Sequence, residues 1–441
     1  MTGELRLCAA VLALMTFGGL TAQENSLDVG LQILGHGEVR DGGLVEPKGS
    51  GFMGTEPEEG VDHAAFVMGR TRLTINYKRP GLEAKVAGQN SGVWGSADNQ
   101  AFNLYETWVR LSAPQGWFAQ IGRQALSYDD ERIIGPNDWA MASRSHDVLR
   151  MGYEGHGHKA HVILAYNQNA VNVAGGSYYE GGSQPYKTMH TVWYHYDVPR
   201  VPLGASLLFM NIGMQAGEKG EDESTEYQQL LGGYVKYAPK CWSAELSYYR
   251  QMGKYEKGKI DIDAWMMAAK LQFIPAANYS FVAGYDYMSG DDQFAVPGEG
   301  QIGIIQHKTI KGFNPIYGSH HQFYGAMDFF YVSTYVNGFT PGLQNIYVGG
   351  TYKPHKNVEL SAKYHYLTIT SDLKDIDKPL GHEIELEASW QLAKDISLSA
   401  GYSYMKGTDT MERLKRSSER DKLSWGWLSL NVTPRLFSTK W

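Results

Sequence analysis

The segments IELEASWQL (Ile384–Leu392) and ISLSAGYSY (Ile396–Tyr404) alternate apolar and polar residues along their length. Successive side chains of a β-strand point to opposite faces, so each segment predicts a strand with one apolar and one polar face. The short LAKD turn (Leu392–Asp395) between them predicts an antiparallel hairpin. A soluble sandwich could contain such a hairpin, but the pattern recurs along the whole chain with aromatic residues near the strand ends. That combination is typical of a β-barrel with lipid outside and water inside.

The composition favours one large closed sheet over two or three soluble domains. Of the 441 residues, 12% are aromatic, including 29 Tyr and 11 Trp, yet the mean hydropathy is only −0.37. The rings are therefore interleaved with polar residues, as expected when only one face of each strand is apolar. A formal net charge of −7 gives no reason to expect a nucleic-acid partner.

The N-terminus has the pattern of a secretory signal. Arg6 precedes the apolar stretch LCAAVLALMTFGGL, and a cleavage point follows Ala22. We therefore expect a signal peptide over 1–22 and a single barrel over 23–441, whose one remaining cysteine, Cys241, forms no disulfide. No later stretch reaches the roughly 18–20 apolar residues that a membrane helix needs. If the chain spans a membrane, it must do so as a closed barrel.

Short turns and longer polar connections alternate between the predicted strands. Eight short turns and nine longer connections predict about 18 strands in an all-β, transmembrane, antiparallel up-and-down β-barrel with both termini at the short-turn side. The eight short turns are Lys78–Gly81, Ser112–Gly116, Glu154–His158, Asp197–Gly204, Ala238–Cys241, Ile274–Asn278, Lys353–Asn357 and Leu392–Asp395.

The longest connection, about 289–342, contains the sequence HHQFYGAMDFFYV (His320–Val332). This stretch is too apolar for a solvated surface loop. It predicts a segment that folds into the lumen as a constriction or packs at the rim. An extracellular hairpin that extends the wall is the competing interpretation.

Several motifs resemble those of the alginate-export family of outer-membrane proteins. The main match is GRQALSYDDERIIGPNDWAMASRSHDVLR (Gly122–Arg150), and others are VAGQNSGVWG (Val86–Gly95), LYETWVRL (Leu104–Leu111), NPIYGSHHQFYGAMDFFYV (Asn314–Val332) and GHEIELEASWQLAKDISLSAGYSYM (Gly381–Met405). The resemblance implies an 18-stranded barrel. In family members that serve alginate secretion, it implies an arginine-rich lumen that conducts a polyanionic uronic acid polymer.

Charged residues supply the candidate pore lining. Strand alternation predicts lumen-facing arginines and lysines at the N-terminal strands, and the resemblance places the GRQ motif at the pore wall. Guanidinium groups bind carboxylates through paired hydrogen bonds and keep their charge at neutral pH. The competing interpretation is that each arginine forms a structural ion pair with an inward acid. The candidates are Arg70, Arg72, Lys85, Glu106, Arg110, Arg123, Gln124, Asp129, Arg132, Arg144 and Asp147.

The sequence thus predicts a passive, porin-like channel in the outer membrane of a Gram-negative bacterium. Its expected solutes are hydrophilic and anionic, such as acidic (uronate-type) saccharides. A general nutrient porin, a barrel enzyme and an adhesin remain alternatives. Expected partners are outer-membrane lipid, an anionic saccharide or other small hydrophilic solute and the barrel assembly machinery. No cofactor is expected, and the histidines of His156–His161 fit no common zinc spacing.

Overall fold

A computed structural model describes residues 24–42, 63–96, 102–255 except 172 and 174, 260–292, 309–330, 340–415, 421 and 423–441. Within these residues, eighteen antiparallel strands form the wall. They are β1 (Ser26–Asp41), β2 (His63–Arg79), β3 (Leu82–Val93), β4 (Phe102–Ser112), β5 (Trp117–Gln124), β6 (His146–Gly155), β7 (His158–Tyr166), β8 (Thr188–Asp197), β9 (Leu203–Ala216), β10 (Ser224–Tyr237), β11 (Trp242–Tyr255), β12 (Ile260–Ala276), β13 (Tyr279–Met288), β14 (Leu343–His355), β15 (Val358–Thr368), β16 (Pro379–Ala393), β17 (Ile396–Gly407) and β18 (Leu423–Val432).

The first and last strands pair with each other and close the barrel. Strand β1 pairs with β18, and after a break at Pro434 it pairs with the short continuation Arg435–Lys440. Next to these pairs, Asn25 and Trp441 exchange two backbone hydrogen bonds of 2.9 and 3.1 Å. The predicted 18-stranded closed barrel is confirmed, and all eight predicted short turns connect consecutive strands.

Within the part of the chain that the structure describes, three shorter elements lie between the wall strands. Thr309–Ile310 pairs in parallel with β12, His320–Gln322 forms a 3-10 turn, and α1 (Asp409–Lys415) follows β17. Among the described residues, no helix combines the length and apolar character needed to cross a bilayer. The predicted signal segment, 1–22, lies outside the described residues and stays a prediction.

The predicted facing of the wall strands is confirmed at the hairpin of β16 and β17. The side chains of Leu386 and Trp390 on β16 are 48% and 53% exposed on the outer surface, whereas Glu385 is 4% exposed and faces inward. On β17, Tyr402 is exposed and Ser403 is buried. The outer surface of the barrel is therefore apolar, as a lipid-facing surface must be.

The inner face departs from the predicted polar pattern towards the long-loop end. Inward residues such as Met189, Leu208, Met210 and Met266 are apolar and at most 1% exposed. They belong to one apolar cluster with residues of the connection between β5 and β6 and of the connection before β14. The inner face is apolar there because chain segments, instead of water, lie against it.

Candidate functional site

The connection between β5 and β6, residues 125–145, lies inside the barrel; we call it the first inserted segment. Its side chains contact inward-facing side chains on widely separated strands. Asp129 accepts a hydrogen bond from Trp193 on β8 (3.0 Å), and Asp138 contacts Arg70 on β2 (3.2 Å). Only a segment that crosses the lumen can reach both sides of the wall. The family resemblance predicts this motif at the pore wall and does not predict its insertion.

A buried ion-pair triad fixes the middle of the first inserted segment. Arg132 is 3% exposed and contacts Asp130 of the same segment (3.0 Å) and Asp286 on β13 (2.7 Å). Burial alone would lower the pKa of Arg132, but the charges of Asp286 and other nearby groups raise it above its ordinary value. Its guanidinium also lies 4.0 Å from the centre of the Phe323 ring. Arg132 therefore stays charged and joins the segment to the wall.

Two arginines of β2 share one carboxylate near the end of the first inserted segment. Asp138 contacts the guanidinium groups of Arg70 (3.2 Å) and Arg72 (3.3 Å), and both arginines also donate to the Ser143 hydroxyl. Arg72 stacks on Tyr105 with 3.8 Å between its Cζ atom and the ring centre. Both arginines face inward, as alternation predicted, and they bind the inserted segment.

Residues 313–330, the second inserted segment, pack against the first. Backbone hydrogen bonds join the two segments, with Gly135 donating to Tyr317 and Tyr317 donating to Ile133. The Trp139 ring of the first segment stacks on the His321 ring of the second at 3.9 Å. Burial, with the charge of Arg144 nearby, lowers the pKa of His320 to about 4. The part of the long connection that packs on the first inserted segment therefore lies in the lumen, whereas Thr309–Ile310 extends the wall beside β12.

An inward carboxylate of β16 holds the second inserted segment to the wall. The Met327 backbone amide donates to the Glu383 carboxylate at 3.1 Å, and Glu383 is 1% exposed. Gly325 has φ +94°, and a Cβ there would lie 2.4 Å from a Glu383 oxygen. Glycine is favoured at this position because a residue with a Cβ would be strained at this positive φ and would collide with the Glu383 carboxylate.

The first inserted segment contains several residues with strained backbone. Asp129, Glu131, Asn137 and Ser143 all have positive φ, between 46° and 64°. Such residues cost about 1–3 kcal/mol each and persist only where the surrounding contacts enforce them. The segment is thus held in one defined path by its contacts with the wall.

Below the inserted segments, towards the short turns, the inner wall carries an ion-pair belt. Inward cations and carboxylates of neighbouring strands alternate around the barrel, and most are partly exposed to the lumen. The belt pairs are Lys78 with Glu83, Lys85 with Glu106, Arg110 with Glu154, Lys159 with Asp197, Lys236 and Lys270 with Glu245, Lys353 with Glu359, and Lys363 with Glu385.

Cations outnumber carboxylates at three described places in the lumen. Glu245 contacts both Lys236 and Lys270 at 3.1 Å, and Asp138 is the carboxylate shared by Arg70 and Arg72. A third cationic cluster lies between them along the wall. There Arg110 and Arg150 both lie over the Phe118 ring, and Glu154 contacts Arg110. Carboxylates outnumber cations near Lys363, where Glu385 and Glu387 both face inward on β16.

Two of the predicted pore residues lie on the other face of the wall. Arg123 and Asp147 form a bidentate pair at 2.7 and 2.8 Å and face each other in the register of β5 and β6. Arg123 is two residues from Ile121 on β5, and Ile121 is 58% exposed on the outer surface. Asp147 is the register partner of Arg123 on β6 and points to the same side. The prediction that this pair lines the pore is wrong, because side chains two positions apart on a strand point the same way.

Three further predicted residues are covered. Arg70, Gln124 and Arg132 are 2%, 0% and 3% exposed, so their side chains do not contact a passing solute. Arg70 and Arg132 hold the first inserted segment, whereas Gln124 donates to the Gly122 and Val148 carbonyls of the wall. Arg144 donates to the Gly318 carbonyl at 2.8 Å and so ties the two segments together. Asp129 is largely buried, and burial raises its pKa.

Other predicted residues belong to the belt or adjoin it. Lys85 and Arg110 are inward and partly exposed, and both are paired with carboxylates. Glu106, the partner of Lys85, also accepts a hydrogen bond from the Ala125 amide at 3.2 Å, where the first inserted segment begins. Sequence reasoning missed Asp138 and Asp286, although their acidic character was the available signal.

Solved structures with the same fold are bacterial porins. Pseudomonas aeruginosa OpdL matches with a TM-score of 0.62 and 11% identity over 93% of this chain and 99% of that chain. Pseudomonas aeruginosa OccK9 (OpdG) matches with a TM-score of 0.61 and 12% identity over 93% of this chain and 98% of that chain. A BenF-like porin from Pseudomonas fluorescens Pf-5 matches with a TM-score of 0.59 and 9% identity over 93% of this chain and 99% of that chain. These likenesses show the fold.

A comparison with curated proteins finds no match. The model of the family described as "Alginate export", in contrast, matches residues 82–379. This region contains both inserted segments and most of the ion-pair belt. The chain is an outer-membrane β-barrel of the porin type from a Gram-negative bacterium, and it belongs to the alginate export family.

Proposed function

We propose that this channel passes hydrophilic solutes passively and prefers anions, such as acidic saccharides of the uronate type. The observation that carries the proposal is the sharing of single carboxylates by two cations, at Asp138 and at Glu245. Each such group carries one more positive than negative charge. Lys236 and Lys270 are partly exposed to the lumen, whereas Arg70 and Arg72 are mostly covered and act on a solute only through their field. The GRQ arginine, Arg123, contributes nothing to this argument because it lies on the outer face.

The size of the effect follows from Coulomb's law. At an effective dielectric constant of about 20 and a separation of roughly 7 Å, one unpaired charge attracts a carboxylate by about 2 kcal/mol. Salt screens this attraction in the open parts of the lumen and less so at the constriction. Two or three such clusters would raise the local concentration of an acidic sugar, as charged rings do in other pores.

The matched pairs of the belt favour a second candidate, a general nutrient porin without preference for uronates. Pairs such as Lys353 with Glu359 and Lys159 with Asp197 add no net charge. The negative charges of Glu385 and Glu387 repel anions from that part of the wall. The two candidates predict different ion selectivity, so a single type of measurement separates them.

Planar-bilayer recordings of the purified full-length protein test the proposal. Across a salt gradient, we expect a reversal potential that favours chloride, and we expect uronate oligomers to block the current at concentrations where neutral oligosaccharides do not. Lys236→Gln combined with Lys270→Gln leaves Glu245 without its two cations and should shift the reversal potential towards cation preference. Lys219→Gln, in an exposed loop, is the control. A wild-type pore that prefers cations would refute the proposal.

The remaining partner predictions also belong to this proposal. We propose that the barrel assembly machinery inserts the chain, because a closed outer-membrane barrel of this type has exposed strand edges until β1 meets β18. An enzyme or adhesin role would require activity or cell binding that persists in a variant with a blocked lumen.

A further inference from the structure

A cavity of about 540 Å³ opens on the outer side of the wall, at the long-loop end of β11, β12 and β13. Strand alternation places Tyr248, Trp265 and Tyr287 on the outer face, with the apolar band of Leu246, Leu271 and Phe281 below them. The cavity thus begins where the apolar surface of the barrel ends. In the membrane, this height is the head-group region of the outer leaflet.

Three aromatic rings form the lower wall of the cavity. Trp265 stacks on Tyr287 with 4.6 Å between ring centres and 17° between planes, and Tyr248 lies on its other side at 6.2 Å. The rings cross three neighbouring strands side by side. They give a flat surface wide enough for a sugar ring, with apolar faces and one hydroxyl on each tyrosine.

Two ion pairs form the upper wall. Arg250 contacts Asp263 at 2.9 Å, and Lys311 contacts Asp292 at 2.7 Å. All four side chains are between 43% and 54% exposed, so solvent and ligands can reach them. Arg250 lies directly beside Trp265 in the register of β11 and β12. Asp372, which contacts Lys378 at 2.8 Å, also lines the cavity.

We propose that this cavity binds the phosphorylated sugar head group of an outer-leaflet glycolipid. Phosphate would be held by Arg250 and Lys311 through charge-assisted hydrogen bonds. The carboxylates of Asp263 and Asp292 would accept hydrogen bonds from sugar hydroxyl or amide groups, and the Trp265 ring would support the sugar.

The combination of groups selects this occupant. Two cations alone would serve any phosphate, and the rings alone are ordinary interfacial aromatics. Rings, cations and carboxylates together match a sugar that carries both hydroxyl and phosphate groups. A solute in transit is excluded as the occupant because the cavity is on the lipid side of the wall and not in the lumen.

Native mass spectrometry of the full-length barrel in detergent tests the proposal, with bisphosphorylated lipid A as the probe. Its dephosphorylated form and phosphatidylglycerol are the comparison lipids. We expect one lipid A to stay bound under conditions that remove phosphatidylglycerol. Arg250→Gln combined with Lys311→Gln should weaken binding by at least about tenfold. Trp265→Leu keeps the surface apolar and should weaken binding of both forms of lipid A.

Lys240→Gln, in the short turn at the other end of the barrel, is the matched control and should bind lipid A as the wild type does. All substituted side chains are at the surface, and the heat-dependent migration of the folded barrel on gels confirms that each variant folds. Equal binding of lipid A by the double variant and the wild type would overturn the proposal. Equal binding of phosphatidylglycerol and lipid A by the wild type would overturn it too, because it would show only general attraction of anionic lipid.

Discussion

Substitution of Arg132 by methionine should release the first inserted segment from the wall. Arg132 is 3% exposed, and its loss leaves Asp286, which is 1% exposed, without its cation. Removing one partner of a buried ion pair costs about 3–5 kcal/mol, because the other charge stays buried and unpaired. The eighteen wall strands do not depend on this contact, so the cost falls on the docked position of the segment. Its undocked population should rise by about two to four powers of ten.

Single-channel recording measures this release directly. Arg132→Met should increase the conductance or the frequency of high-conductance states, because the segment no longer holds its place in the lumen. Hydrogen exchange should show faster exchange of the backbone amides in 125–145 than in the wild type. Lys353→Gln removes a half-exposed pair of the belt and serves as the control, with an expected change of at most about 1 kcal/mol.

A second substitution separates the lost charge pair from lost packing. Asp286→Leu in the Arg132→Met background removes the orphaned carboxylate, so it should recover part of the docking, since apolar replacements of a buried pair are often well tolerated. If Arg132→Met has the same conductance, noise and amide exchange as the wild type, Arg132 does not hold the segment. The structural role assigned to the triad would then be wrong.

Three other substitutions or conditions test separate contacts. Burial lowers the pKa of His320 to about 4, so the neutral imidazole stabilises the second inserted segment fully above pH 6.5. Acidification towards pH 4 should remove up to about 3 kcal/mol of this stabilisation. We expect new conductance states on acidification, and His320→Asn should not acquire them over this range. Gly325→Ala places a Cβ against Glu383 at positive φ and should give similar channel noise at neutral pH, with unchanged barrel stability. Leu386→Arg puts a charge near the middle of the lipid-facing surface and should lower the free energy of unfolding in vesicles by about 2–4 kcal/mol, whereas Ser389→Arg on the inner face should cost much less.

The wall was predictable because its information is local. Alternation at a period of two residues and Pro- or Gly-rich turns are both readable in one sequence, and they gave the strand number, the turns and the facing of β16 and β17. The same rule, applied to Arg123 from its neighbour Ile121, would have placed that arginine on the outer face. The family resemblance led to the opposite prediction for Arg123 because a motif marks a segment and not the direction of each side chain.

The inserted segments were harder to predict because their contacts join distant parts of the chain. Nothing near Arg132 in the sequence indicates that its partner is Asp286 on β13. One local signal was present, however. The stretch LLFMNI (207–212) on β9 is apolar on both faces, which is the pattern of a strand that is covered on both sides. Read with the apolar pair Ile133 and Ile134 in the connection, it indicates that something other than water lies against the inner wall.

The two classes of ion pair in this barrel must serve different purposes, because their energies differ. The belt pairs Lys78 with Glu83, Lys159 with Asp197 and Lys353 with Glu359 are exposed to the lumen, and exposed pairs contribute only about 0–1 kcal/mol each. Alternating cations and acids in the belt therefore add little to the stability of a wall that its hydrogen-bonded strands already close. Their main physical effect is the electric field in the lumen. The triad of Arg132, Asp130 and Asp286 is buried and fixes a segment in place. The belt and the triad thus act separately, so substitutions in the belt can alter selectivity while the triad still holds the first inserted segment.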